Sequence, residues 1–498
     1  MPALQVIAGL VLGLIPGFPV VELRPEIVFL LLVPPLLYSA GYNTSWRDFQ
    51  ASLPSISLLA VGLVLVTVVG VAWAAHVLAG LDWGPAFVLG AVVSPTDAVA
   101  ATSLSAQLRL PSRALQVLEG EGLLNDATGL TVFNVAVAVV ISGHFSWGLA
   151  AWQLVQAAGL GLLAGLGIGW LDGWLRRLVG RRSPPDPLVS TGLSLITPFA
   201  AYLVGEGLHG SGVLAVVTAG LYLGRHESSL TSVQGRLNAA QVWGLTTELL
   251  NGFAFLLIGL QFPRVLGTLR GMDPLHTLLA TLGVALSVVV IRLVWIFPTT
   301  YFLSQAGWLK GLLWKNVLVV GWTGSRGVLS LAAALSLPAV AGRAFPQQQP
   351  ILLLTFIVIL LTLVGQGLTL PALIRALRLE SDEGPAREEY SARLAAAEAA
   401  RMRLRNIAEH EPQRRGRMLE SLIARYDAKL GNLEHGFADR SFTSEYESLE
   451  RDAVSAQRSA LQRLRDDGTI SDTTLRLIEH DLDVQESQLG DVLTEAEG

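Results

Sequence analysis

From its start to about Leu370 the chain is a succession of long apolar runs separated by short polar stretches. A helix needs about 20 apolar residues to cross the hydrocarbon layer of a bilayer. Inside lipid every backbone polar group must be satisfied within the protein, so a chain of this pattern folds as a bundle of membrane helices. On that ruler about twelve spans are predicted, near residues 4–20, 26–41, 56–79, 85–100, 115–141, 152–175, 188–204, 212–223, 246–260, 278–302, 314–337 and 351–370. Composition agrees, with 51% hydrophobic and only 15% charged residues, where soluble domains carry about a quarter charged.

After Pro371 the character changes, and Arg, Glu, Asp and Gln dominate. Two domains are therefore expected: a membrane domain over residues 1–374 and a soluble helical tail over 375–498. In the tail, strong helix formers fill residues 387–406, and amphipathic stretches follow near 417–430, 446–465 and 473–489. The turn Asp466-Asp467-Gly468, with Ser471 or Asp472 as the next N-cap, predicts a helical hairpin.

Lys and Arg concentrate in cytoplasmic loops of membrane proteins. Loops after even-numbered spans hold Arg47, Arg109, Arg113, Arg176, Arg177, Arg181, Arg182, Arg225, Arg236, Lys310 and Lys315, whereas loops after odd-numbered spans hold Arg24, Arg264, Arg270 and Arg343. The bias keeps one sign along the chain and predicts that both termini lie in the cytoplasm. No basic segment precedes the first apolar run, so a cleaved signal peptide is not expected. There is no cysteine, which removes disulfides, thiolate metal sites and thiol nucleophiles. No basic patch with interleaved aromatics marks a nucleic-acid partner. A lipid bilayer is the expected surrounding.

Charged groups at membrane depth cost at least about 2.5–3.5 kcal/mol each on insertion scales, so each calls for a partner or a function. Asp97 falls in span 4, Glu121 and Asp126 in span 5, Arg292 in span 10 and Arg326 in span 11. Span 4 is interrupted by Ser94-Pro95-Thr96-Asp97 and span 11 by the glycine-rich run Gly321 to Gly327. Broken helices in corresponding places of two halves point to a transporter binding site, and spans 3–5 and 10–12 would be those halves. Glu121 and Asp126 are separated by about 140° around a helix, while Asn125 shares the face of Glu121. One arrangement that fits neutralises Glu121 with Arg292 and leaves Asp126 facing a water-filled cavity. Structural ion pairing is the competing reading for Glu121, Arg292 and Arg326. Asp97 and Asp126 are short carboxylates that cannot snorkel to water. A hard monovalent cation wants oxygen ligands, and Asp126, Asp97, Thr96 and the carbonyls freed by Pro95 offer them. A carboxylate holding either a proton or a cation, exposed alternately to the two sides, is sufficient for exchange.

The stretches LLVPPLLYSAGYNTSWRDF, SPTDAVAATSL, LEGEGLLNDATGL, ELLNGFAFLLIGLQFP and GWTGSRGVLSLAAALSLP, in that order, strongly resemble the monovalent cation:proton antiporter-1 family of bacterial sodium/proton antiporters. The resemblance implies an all-α polytopic membrane protein with inverted repeats and two broken, crossing helices, working as a homodimer in the bacterial inner membrane. It implies exchange of Na+ or K+ for protons, serving pH and cation homeostasis, with no cofactor. Asn125 stands where relatives of electrogenic type have a second aspartate, so the exchange is expected to be electroneutral. By resemblance Asp126 is the essential aspartate and Asn125 its neighbour. Asp97 and Thr96 are the acid and hydroxyl of the broken helix, which with Asp126 would bind the cation. Glu121 and Arg292 are the pair that ties two core helices, and Arg326 lies in the second broken helix. Gly122 departs from the pattern, standing where many relatives have a serine, and the chain begins close to a span usually preceded by one more helix.

Other functions fit less well. An intramembrane aspartyl protease would need a Tyr-Asp and Gly-x-Gly-Asp pair, which is missing, Tyr426-Asp427 falling in the tail. A channel would need a continuous polar lining, and a primary pump a nucleotide site, which none of Lys310, Lys315 and Lys429 supplies. An antiporter for another cation or a small organic substrate is the closest alternative.

Overall fold

The computed structural model describes residues 2–16, 24–97, 112–180, 187–267, 274–305, 314–340, 343–377, 384–410, 412–438, 440–467, 474–475, 478 and 482. They form two compact units, Met1–Glu380 and Ser381–Gly498.

The first unit is helical throughout its described residues apart from turns, the breaks treated below and one isolated bridge, Val340 to Arg343. Its helices are α1 (Pro2–Gly13), α2 (Pro25–Asn43), α3 (Trp46–Ala79), α4 (Trp83–Val93), α5 (Ser112–Ser142), α6 (Trp147–Gly180), α7 (Pro187–Gly207) and α8 (Gly212–Leu230). They continue with α9 (Val233–Leu260), α10 (Phe262–Gly267), α11 (Pro274–Gln305), α12 (Trp314–Trp322), α13 (Val328–Leu335) and α14 (Gln348–Leu377). Eight described helices are long and apolar enough to cross a membrane, and α1 and α4 are shorter apolar helices.

Local chemistry sets the helix ends. Ser45, Ser211 and Ser232 cap α3, α8 and α9, each accepting a backbone N–H three residues on, which satisfies a donor that the first turn leaves orphaned. Gly80 ends α3 in the left-handed conformation with φ 65°, where a side chain would be strained. Within α2 the turns Val28–Leu32 widen to a π-helix just before Pro34 and Pro35. Those prolines offer no N–H to the preceding turn, and a wider turn keeps their rings clear of it.

Each predicted span coincides with a helix or with a helix interrupted at its predicted break. The ends differ. The helix predicted at 246–260 begins at Val233, because Trp243 is buried against the Tyr38 ring and donates its indole N–H to Ser194 Oγ at 3.0 Å. That burial anchors a first half in which polar side chains are frequent. Residues 17–20 of the first span and 98–100 of the fourth lie outside the described residues.

Two groups of helices pack side by side. Helix α8 packs on α2, α6 and α7, with α1 against α9, while α3, α4, α5, α11 and α14 surround the breaks of α4 and of α12–α13.

The second unit contains α15 (Gly384–His410), α16 (Pro412–Ala438) and α17 (Arg440–Asp466). Arg401 and Arg405 of α15 both reach Asp427 of α16, at 3.3 and 3.5 Å, so these two helices double back on each other. Of the turn predicted at 466–468, Asp466 ends α17, Asp467 is a turn residue, and Gly468 lies outside the described residues. Most of the last predicted helix lies outside the described residues, although Thr474 and Leu475 are helical.

Candidate functional site

Helix α4 stops at Val93 and helix α12 at Trp322, and residues 94–97 and 324–327 that follow them are not helical. The two irregular segments bind one another. Asp97 N–H donates to the Ser325 carbonyl at 2.7 Å, and Ser325 Oγ donates to the Asp97 carbonyl at 3.2 Å. Backbone groups that a membrane helix must satisfy internally are satisfied here by the other break. Gly327 lies against the Asp97 side chain so closely that a Cβ on it would overlap the carboxylate, standing 2.8 Å from Cγ.

Helix α5 carries the acids past this crossing. Glu121 is buried and held bidentately by Arg292 of α11, with Nη1 to Oε1 at 2.5 Å and Nη2 to Oε2 at 2.9 Å. Arg292 Nη2 also donates to the Val320 carbonyl in α12 at 3.2 Å. Thr96 Oγ1 donates to Glu121 Oε1 at 2.9 Å, and Asn125 Nδ2 donates to Thr96 Oγ1 at 2.6 Å and to the Thr96 carbonyl at 3.1 Å. One network therefore fastens α5, the flanks of both breaks and α11. The Thr96 carbonyl accepts only, which fixes the Asn125 amide with its nitrogen inward. That leaves Asn125 Oδ1 buried and without a hydrogen-bond partner, an unusual state for a buried polar atom.

Asp126 is different from its neighbours. It is partly exposed while Glu121 and Asn125 are buried, and it lies close enough to Asp97 for the two charges to interact. Arg326 meets neither acid directly among the described hydrogen bonds. Its Nε donates to the Val93 carbonyl at 2.8 Å and its Nη1 to the Gly324 carbonyl, so a buried cation faces the carbonyl end of α4, where the helix dipole is negative.

Residues 1–376 match the family described as sodium/hydrogen exchanger, transmembrane. The chain belongs to this family. An exchanger of Mycobacterium tuberculosis, named an uncharacterized Na(+)/H(+) exchanger, is 36% identical over 98% of this chain and 92% of its own length. A sodium, potassium, lithium and rubidium/H(+) antiporter of Bacillus subtilis is 30% identical over 96% of this chain and 73% of its own. Among solved structures, the sodium proton antiporter MjNhaP1 of Methanocaldococcus jannaschii aligns with TM-score 0.58 and 20% identity, covering 76% of this chain and 92% of that one. This exchanger shares that antiporter's fold and is a multi-pass membrane protein.

The structure thus brings together Thr96, Asp97, Glu121, Asn125, Asp126 and Arg292, and sets Arg326 at the two breaks. The Thr96 hydroxyl, expected from sequence to be a cation ligand, already donates to Glu121 and accepts from Asn125. A second buried pair was not foreseen from sequence. Arg176, counted above as a loop charge, is buried on α6 and paired with Asp172 at 2.8 Å, and its Nη1 also donates to Thr231 Oγ1 at 3.5 Å. The i,i+4 spacing of opposite charges was the available signal, hidden by Arg177, Arg181 and Arg182, which follow at once.

Proposed function

We propose that this exchanger carries a monovalent cation, Na+ or K+, in one direction and a proton in the other, with Asp126 as the carboxylate that holds each in turn. The observation that supports this most is the division of labour on α5. Glu121 is neutralised by Arg292, so of the two α5 acids in the crossing only Asp126 is left to gain and lose a proton or bind a cation. Asp97 and the orphaned Asn125 Oδ1 supply further oxygens beside it, which suits a hard monovalent cation. Thr96 serves this site by orienting Asn125 rather than by coordination alone. Arg326 offsets the partial negative charge of the α4 end, so that the carboxylates are not left beside a second negative terminus.

The Bacillus subtilis relative's name includes both sodium and potassium, in keeping with either ion here. The same reading assigns residues 1–374 to transport, with inverted repeats around the two breaks, and 375–498 to a cytoplasmic helical domain. It has both termini in the cytoplasm of a bacterial inner membrane, supported by the Arg and Lys bias, and a homodimer as working unit, supported by the family resemblance.

The decisive variant is Asp126→Asn, which keeps the shape but cannot cycle a proton. Purified and reconstituted, it is expected to insert and elute as the wild type does and to show no cation-dependent proton flux. Flux at the wild-type rate would refute the assignment.

A further inference from the structure

Beyond the crossing, α5, α6, α7 and the turn after α7 line a cavity of about 510 Å³. Its wall includes Asn134, Gln153, Gln156, Tyr202, Glu206 and His209, so most of its side chains are polar, and among the described residues Glu206 is its one carboxylate. Leu130 also lines it. On α5 the positions 126, 130 and 134 follow at four-residue intervals and so share a face. The row therefore runs from Asp126, through one apolar side chain, to an amide that is already inside the cavity. Ser336, which ends α13 of the second broken helix, lies on the same wall.

We propose that this cavity is an aqueous vestibule in which Glu206 concentrates cations, and that Leu130 is the apolar barrier between it and Asp126. The inference rests on the antiport reading for its use, though not for its test. A carboxylate at the wall of a cavity with low-dielectric surroundings lowers the potential felt by an arriving cation and raises its local concentration. Glu206 spends one oxygen on structure, since Oε1 accepts the Gly212 N–H at the start of α8 at 3.0 Å. Glutamine in its place keeps an acceptor for that bond while removing the charge, which separates the two roles. His209 and Tyr202 are the other titratable side chains on the wall. The His209 backbone N–H donates to the Glu206 carbonyl at 3.0 Å from a residue with φ 57°, which holds the turn against the end of α7.

The chain contains no cysteine, so a single introduced thiol reports cleanly. Asn134→Cys is treated with membrane-impermeant methanethiosulfonates of matched size, one bearing a trimethylammonium and one a sulfonate. Labelling is expected from one face of the membrane only, with the cationic reagent favoured relative to its rate on a free thiol. Glu206→Gln in that background is expected to lower this preference roughly three- to tenfold, the size of one nearby charge in a wet cavity. Gln153→Cys provides a second reporter should the first fail to insert. Thiols that stay unlabelled at both positions, or a preference unchanged by Glu206→Gln, would overturn the proposal. Labelling needs no transport, so the vestibule is tested independently even if Asp126→Asn leaves flux intact. In the transporting protein, Glu206→Gln is expected to raise the cation KM roughly three- to tenfold on that face alone, with kcat unchanged; an equal rise on both faces would count against it.

Discussion

Glu121 and Asp126 are both acids on one helix, five residues apart, and their surroundings give them opposite fates. Five residues turn the helix far enough that one meets the Arg292 guanidinium while the other lies near Asp97. Breaking a buried pair leaves one charge without compensation, at a cost of about 3–5 kcal/mol. Glu121→Gln or Arg292→Gln alone should therefore reduce the yield of folded, monodisperse protein and lower its Tm in detergent. The double variant should recover part of that loss, because two neutral amides can still bond to Thr96 and to the Val320 carbonyl. Single variants that are fully stable yet inactive would show that the pair works in transport and not in holding α5 to α11. At this scale the sequence was most legible where a charge interrupted an apolar run, as with Asp97, Glu121, Asp126, Arg292 and Arg326. It was least legible at polar groups whose significance depends on a neighbour. Glu206 stood among glycines in a short polar stretch and showed nothing of the cavity it faces. Asp172 fell inside the predicted span 152–175 but close to its end, where the basic residues that follow made its pairing with Arg176 easy to overlook.

At the scale of elements, the fold repeats one device: a helix stops at membrane depth and its loose backbone is bound by the other broken helix. Asp97 and Ser325 make that exchange in both directions, which needs an approach too close for side chains at the contact. Gly327 is the consequence. Gly327→Ala would place a methyl in the Asp97 carboxylate, and Asp97 Cβ, only 3.0 Å from the new atom, moves only if the backbone does. The variant is expected to insert, to pack its helices normally elsewhere and to lose most of its exchange; near-normal flux in proteoliposomes would mean that the crossing yields easily to an added methyl. The breaks themselves were legible from Pro95 and from the glycine run, but what joins them was not, since a hydrogen bond between residues 228 apart leaves no mark in either segment. Once the helix limits are known, the membrane position of α6 can be read from its tryptophans. Trp147 and Trp152 near one end and Trp170 and Trp174 near the other are all largely exposed. Trp152 and Trp170 are about 27 Å apart along the axis, close to the hydrocarbon thickness that such aromatic belts bracket. Element ends sort onto two faces as alternating crossings require. Asp82, after α3, donates its N–H to the Gln347 side chain before α14, and Arg176, near the end of α6, meets Thr231 before α9.

For the molecule as a whole, the count of groups free to change protonation sets the stoichiometry. Glu121 is held by Arg292, Asn125 is an amide, and Asp97 at the broken backbone serves, on the proposed reading, as a ligand of the cation and not as a proton carrier. On that reading one carboxylate, Asp126, cycles one proton for each monovalent cation, and a full turnover is expected to move no net charge. An imposed membrane potential should leave the direction and the reversal point of exchange unchanged. The measurement discriminates well, because one net charge per cycle would feel about 2.3 kcal/mol for every 100 mV, which corresponds to a shift of roughly fiftyfold in the balancing gradient. Proteoliposomes loaded with a pH-sensitive dye, given a fixed pH difference and a series of cation gradients, locate the point of no net flux with and without a voltage clamp. Potassium with valinomycin serves when sodium is the cargo, and a different permeant ion when potassium is. Balance at a cation ratio equal to the proton ratio under every clamp is the expected result. A balance point that moves with voltage would mean that Asp97 also releases a proton in each cycle, and that the two acids at the crossing share the work assigned here to one.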